Sequence, residues 1–174
     1  MRKLNIAFGD LNYLNDWNHG AIFVPLSVGN IAAYCLKKFG DAIAVSLHKD
    51  STTLFNSLNS TRTQIVALSF YHWNTSLNRT VLRQIRSEFG DEIIICLGGP
   101  SIDSDHREQV RLFNEFPEAD VFVVNEGEVG FSNIVERVLS SSNPWEHPID
   151  GVVFPRDGEY IRGLDIGLST DLAE

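Results

Sequence analysis

The chain has 174 residues, enough for one ordinary domain with a substantial core, and its 43% hydrophobic and 21% charged residues are typical of a soluble globular protein. A formal net charge of -9 argues against a nucleic-acid surface, which would need clustered Lys and Arg, and is read as serving solubility. No apolar run approaches the roughly 20 residues of a membrane span, and Met1-Arg-Lys-Leu-Asn-Ile enters a strand without a signal-peptide core, so a cytoplasmic protein is expected.

The first apolar run, residues 4–8, is followed by a long loop rich in asparagine and aromatic residues that extends from Gly9 to Pro25. Loops of that length in compact domains are usually functional or disordered, and its composition favours an ordered binding loop. Val28, Ile31, Ala32, Cys35, Leu36 and Phe39 then recur at helical spacing and stop at Gly40. A second strand is expected at residues 42–47, then a short, weakly patterned helix around 53–58, then a third strand at 65–70. Leu77, Val81, Leu82, Ile85 and Phe89 form another helical stripe closed by Gly90, ahead of a fourth strand at 92–97 and a fifth at 120–124. Phe131, Ile134, Val135, Val138 and Leu139 predict a last helix. Beyond Ser140-Ser-Ser-Asn-Pro144 the pattern changes to a small hairpin, residues 151–154 and 159–161 around Pro155-Arg-Asp-Gly158.

Continuous apolar strands alternating with helices predict an α/β fold: a doubly wound, flavodoxin-like, Rossmann-like five-stranded parallel sheet of order 2-1-3-4-5 with a small C-terminal β-hairpin. Cys35 and Cys96 sit in apolar segments and read as inert core thiols, not a disulfide. Two cysteines hold neither a cubane iron–sulfur cluster nor a four-cysteine zinc site.

In such sheets ligands bind beyond the carboxyl ends of the strands. No Gly-x-Gly-x-x-Gly or P-loop pattern follows the first strand, which argues against a dinucleotide or a nucleoside triphosphate. After the third strand, Ser69-Phe-Tyr-His-Trp-Asn74 offers a hydroxyl and a flat aromatic wall, although Phe70 and Trp73 taken singly also fit plain packing. After the fourth, Gly98-Gly99 clears the cleft floor of side chains and Ser101 adds a hydroxyl; a tight turn with a helix cap accounts for the same residues. After the fifth, Asn125-Glu-Gly-Glu128 opens the last helix. The helix dipole explains Glu128 better than Glu126.

Four stretches, Pro25-Leu-Ser-Val-Gly-Asn-Ile-Ala-Ala-Tyr34, Ala67-Leu-Ser-Phe-Tyr71 with Trp73-Asn74, Leu97-Gly-Gly-Pro-Ser101 and Asn125-Glu-Gly-Glu128, occur in order and in register. Together they resemble the N-terminal cobalamin (B12)-binding domain of B12-dependent radical SAM enzymes, over nearly the whole chain. The resemblance implies cobalamin held by Pro25, Leu26 and Ser27, by Ser69, Phe70, Tyr71, His72 and Trp73, by Gly98, Gly99, Pro100 and Ser101, and by Glu126 and Gly127. In that wider fold a serine after strand 3 and paired glycines after strand 4 border the slot for the nucleotide tail; Ser69 and Gly98-Gly99 would take those places.

Three departures shape the expectation. The Asp-x-His-x-x-Gly motif that supplies a cobalt-ligating histidine is absent, since Asp16-Trp-Asn-His-Gly20 has the wrong spacing, so cobalt would be held through the corrin with no protein ligand. Asn125 stands where the family carries glycine. The Cys-x3-Cys-x2-Cys motif, which those enzymes carry in a following barrel, is also absent. The resemblance therefore implies a cobalamin-binding-like domain at residues 1–142, a hairpin extension at 143–163 and a linker at 164–174 towards a radical SAM barrel. That barrel, the partner in the full-length parent, would bind a 4Fe–4S cluster and S-adenosylmethionine. No residue is assigned as catalytic acid, base or nucleophile, and this chain alone is expected not to turn over. The parent would carry out methyl transfer or a related radical reaction. A flavin carrier would need a phosphate loop after strand 1, and a receiver domain an aspartate where Ser69 stands and a lysine near Asn125. A flavodoxin-like interaction or signalling domain that has lost its ligand is the alternative.

Overall fold

A computed structural model describes residues 3–13 and 24–166. Most of the loop after the first strand, including residues 16–20 with His19, and residues 167–174 of the expected linker lie outside the described residues. The apolar runs form β1 (Leu4–Gly9), β2 (Ile43–His48), β3 (Ile65–Ser69), β4 (Ile94–Gly98) and β5 (Val121–Val123), close to their expected bounds. Between them lie α1 (Leu26–Phe39), α2 (Ser51–Ser60), α3 (Thr75–Phe89), α4 (His106–Glu115) and α5 (Gly127–Ser140). The weakly patterned second helix is longer than expected because Asp50 caps it, accepting from the Thr53 amide. Asp105, not Ser101, caps α4, so the cap explanation for Ser101 falls away.

The sheet order is β2-β1-β3-β4-β5, all parallel, and the expected flavodoxin-like winding is present. The hairpin does more than decorate it. Its strands, β6 (Val152–Arg156) and β7 (Glu159–Arg162), continue the sheet to seven strands through antiparallel pairing of Phe122 with Val153 and Val123 with Val152. This covers the edge that β5 would otherwise present to solvent.

Two apolar layers sandwich the sheet. On one face α1 and α5 bury Val28, Cys35, Phe131 and Ile134 against Phe8, Ile65 and Val121. On the other, α2, α3 and α4 bury Leu54, Leu82, Ile85 and Phe113 against Leu68, Leu97 and Phe122. The helical stripes are narrower than periodicity implies, since Leu36 and Leu139 remain exposed. Both cysteines are buried and unbonded, as expected. At the amino-terminal edge of the sheet, the Arg86 guanidinium donates to the carbonyls of Glu118 (2.9 Å), Gly90 (2.9 Å) and Ile93 (2.8 Å) and to the Asp120 carboxylate, tying α3 to β4 and β5. Among the described residues, no helix is long and apolar enough to cross a membrane.

Candidate cofactor-binding site

The opposite, carboxyl-terminal edge holds a cavity, and its origin is a pattern of side-chain size. Successive strand residues face opposite sides of a sheet. On β3, Ala67 and Ser69 face the α1/α5 layer while Leu68 and Phe70 join the other core, and on β4 Cys96 and Gly98 alternate with Leu97 in the same way. The register sets Ala67 beside Cys96 and Ser69 beside Gly98. Two rows of small residues thus meet at the centre of the sheet, beneath α1 and α5, which pack on each other. The space left is about 420 Å³, bounded by Phe8 and Val123 on the flanking strands, Val28 and Ile31 of α1 and Phe131 of α5. That volume lies within the range of small-molecule sites, about 300–1,000 Å³.

Hydrogen bonds fix the rim. The Ser69 hydroxyl donates to Asp10 Oδ1 at 2.6 Å, joining the ends of β3 and β1. The Ser69 carbonyl accepts from Asn74 Nδ2 (3.0 Å) and Asn78 Nδ2 (2.9 Å), both fully buried, while Asn74 Oδ1 accepts from the Tyr71 amide (2.9 Å). Tyr71 stacks on Trp73 at 4.1 Å between ring centroids, and its hydroxyl lies 3.4 Å from Ser27 Oγ on α1. Gly99 has φ 132, and a Cβ there would lie 2.8 Å from the Phe70 carbonyl oxygen. The chain after β4 can lie against the β3 loop only with glycine at this point. Asn125 has φ 62, a left-handed conformation that asparagine tolerates better than most residues, so the loop before α5 keeps a turn glycine would also allow.

Of the residues expected at the site, Ser27, Ser69, Tyr71, Gly98, Gly99, Pro100 and Gly127 line this cavity. Phe70 does not: it is buried on the opposite face, edge-on to Phe116 at 5.1 Å, because strand alternation turns it away. Pro25, Leu26, His72, Trp73, Ser101 and Glu126 also lie outside the lining. Leu26, His72 and Trp73 are exposed, Trp73 by 62%. The lining residues that were not expected at the site are strand and helix positions, chiefly Phe8, Ala67, Cys96, Val123, Ile31 and Phe131, of which Ala67 and Ile31 lie within the quoted stretches. Glu128, given only a role at the helix dipole, also faces the space, as does Asn125. A readable signal existed in the size alternation of Ala67-Leu-Ser-Phe70 and Cys96-Leu-Gly98.

Burial pushes the Cys35 thiol up to about 12, with Lys38 opposing and Glu128 adding, and burial likewise raises Cys96, so neither supplies a thiolate at neutral pH. Among the described residues, no group of three or more His, Cys, Asp or Glu side chains is placed to hold a metal ion.

No known sequence family and no curated protein matches the chain. Solved structures do. The cobalamin-dependent S-adenosylmethionine radical enzyme OxsB, with aqua-cobalamin and S-adenosylmethionine bound, superposes on 95% of this chain with a TM-score of 0.74 at 18% identity. OxsB with aqua-cobalamin alone superposes on 95% with a TM-score of 0.73, again at 18% identity. The two proteins share this fold. This chain spans 23% of the length of the OxsB chain.

Proposed function

We propose that this chain is a cobalamin-binding module. The observation that carries the reading is the cavity beneath α1 and α5, opened by paired small residues on β3 and β4 and closed at its lip by Gly99, in a fold shared with a cobalamin-dependent enzyme. The residues fit a ligand group with an apolar end and a polar end. The buried walls are hydrocarbon apart from the Cys96 thiol, and the mouth carries the Ser27 and Tyr71 hydroxyls, Asn125 and Glu128. Ser69 and Gly98-Gly99 would border the nucleotide tail, and the Tyr71–Trp73 pair would stand beside the corrin edge. Cobalamin, when bound, supplies organometallic cobalt chemistry such as methyl transfer or assistance to a radical step. The chain itself binds and orients the cofactor. The reaction, the 4Fe–4S cluster and S-adenosylmethionine belong to a radical SAM barrel in the parent protein. A cytoplasmic setting accords with two cysteines left unbonded.

Purified protein mixed with hydroxocobalamin should keep a red chromophore through gel filtration, and spectral titration extends the test to weaker complexes. Gly98→Leu is the informative variant, because a Cβ at this position would meet Val123 Cβ at 3.4 Å, an ordinary contact, and the remaining side chain would fill the cavity. It should fold and lose binding. With the nucleotide tail drawn into the slot and off the cobalt, and no histidine in its place, Co(II) electron paramagnetic resonance should lack nitrogen superhyperfine splitting; His72, in the loop after β3, does not line the cavity. Absence of saturable binding by well-folded wild-type protein would favour the ligand-free interaction domain.

A further inference from the structure

If the cavity takes a corrinoid nucleotide tail, as proposed above, its walls also decide which tail. Phe8, Ala67, Cys96, Val123 and Phe131 form an apolar floor, each at most 7% exposed, with Ala67 and Cys96 one strand repeat inward from Ser69 and Gly98. None of these five side chains carries a nitrogen or an oxygen. The rings of Phe8 and Phe131 meet at 4.9 Å and 55°, giving a tilted aromatic end wall. The strand amides and carbonyls between these residues are paired in the β3–β4 and β4–β5 ladders. The Ser69 hydroxyl, one strand repeat towards the mouth from Ala67, donates its proton to Asp10 at 2.6 Å and is left as an acceptor only. The Cys96 thiol, a weak donor at best, is the floor's most polar group. Hydrogen-bonding side chains gather instead at the mouth, in Ser27, Tyr71, Asn125 and Glu128.

We infer that the floor makes this site selective for corrinoids whose lower base is an alkylated benzimidazole over those whose lower base is a purine. A methylated benzimidazole presents a flat hydrocarbon edge to such a floor. Adenine brings an exocyclic amine and further ring nitrogens, which lose water on entry and find no nitrogen or oxygen partner among the floor side chains. An apolar pocket rejects an added polar group only moderately, so the expected discrimination is about 10- to 100-fold. The residues that set it are Ala67, Cys96 and Val123, whose side chains make the floor small and apolar.

Three corrinoids test this against the full chain by spectral titration: cobalamin, its analogue with adenine as the lower base, and cobinamide, which has no nucleotide. Cobalamin should bind about 10- to 100-fold tighter than the adenine analogue, and cobinamide should bind more weakly than cobalamin. Cys96→Ser places a hydroxyl on the floor at nearly constant volume and should shrink the cobalamin-to-adenine ratio several-fold. Val123→Thr serves the same purpose if Cys96→Ser folds poorly, and the ratio is insensitive to a shared loss of active protein. Equal affinities, or a preference for adenine, would overturn the selectivity while leaving the cavity a corrinoid site. Cobinamide binding as tightly as cobalamin would place the nucleotide elsewhere and overturn it as well. Failure of all three to bind would overturn the selectivity together with the module reading.

Discussion

Replacing each of three glycines with alanine separates the two reasons for glycine at the cavity lip. Gly90, at the end of α3, has φ 57 with ψ -136, a conformation that is essentially glycine's alone, and open space where a Cβ would go, so alanine there meets backbone strain without a clash, about 1–3 kcal/mol. Gly98 has ordinary strand geometry and a Cβ contact at 3.4 Å, so alanine should change stability by about 1 kcal/mol or less in either direction. Gly99 combines φ 132 with contacts at 2.8 Å and 3.1 Å to the carbonyl oxygen and nitrogen of Phe70. The Phe70 backbone cannot yield freely, because its amide donates to the Gly98 carbonyl at 2.7 Å and its side chain is buried. Backbone strain of about 1–3 kcal/mol and overpacking of similar size put Gly99→Ala at about 4 kcal/mol. In a domain of this length that lowers the melting temperature by roughly 8–16 °C. Urea unfolding followed by circular dichroism should rank the variants Gly98→Ala, Gly90→Ala, Gly99→Ala in increasing loss, with unchanged m-values. If Gly99→Ala costs no more than Gly90→Ala, the close approach to Phe70 is not rigid and the account of the lip is wrong.

Both thiols should resist an aromatic disulfide reagent at pH 8 in the native protein and react at a rate set by opening, since burial holds Cys35 at about 12 and raises Cys96; immediate labelling of the folded protein would contradict this. Arg86→Ala should cost about 2–3 kcal/mol, because three carbonyls and the Asp120 carboxylate lose their donor at once while partial exposure of Asp120 softens the loss. Cobalamin affinity should be unchanged in that variant, because Arg86 lies at the far edge of the sheet. Burial lowers the His48 pKa below its ordinary 6.5, so the unfolded chain takes up this proton first as the pH falls. Stability should therefore drop as the pH falls through 6.5 towards the folded value, and His48→Gln should flatten that slope; an unchanged slope would remove His48 from the acid response.

The winding of the sheet was legible because its signals are local. Apolar runs of strand length, helical stripes and Gly40 and Gly90 at the helix ends dictate βα units, and right-handed crossovers leave few ways to join them. Quoted motifs also located the cavity lip, since Ser69, Gly98 and Gly99 all border the space. Those motifs misplaced Phe70, which shares the Ser69 loop but points into the other core. Only the parallel register between β3 and β4 sets Ala67 against Cys96 and Ser69 against Gly98, and only the crossover geometry lays α1 and α5 over that row. Likewise the pattern of residues 151–161 predicted a hairpin, yet its pairing with β5 depends on an edge that the assembled sheet leaves open. A sequence therefore specifies which residues are small, apolar or turn-forming. A cavity is the volume that neighbours from distant parts of the chain fail to fill, and that is decided by packing.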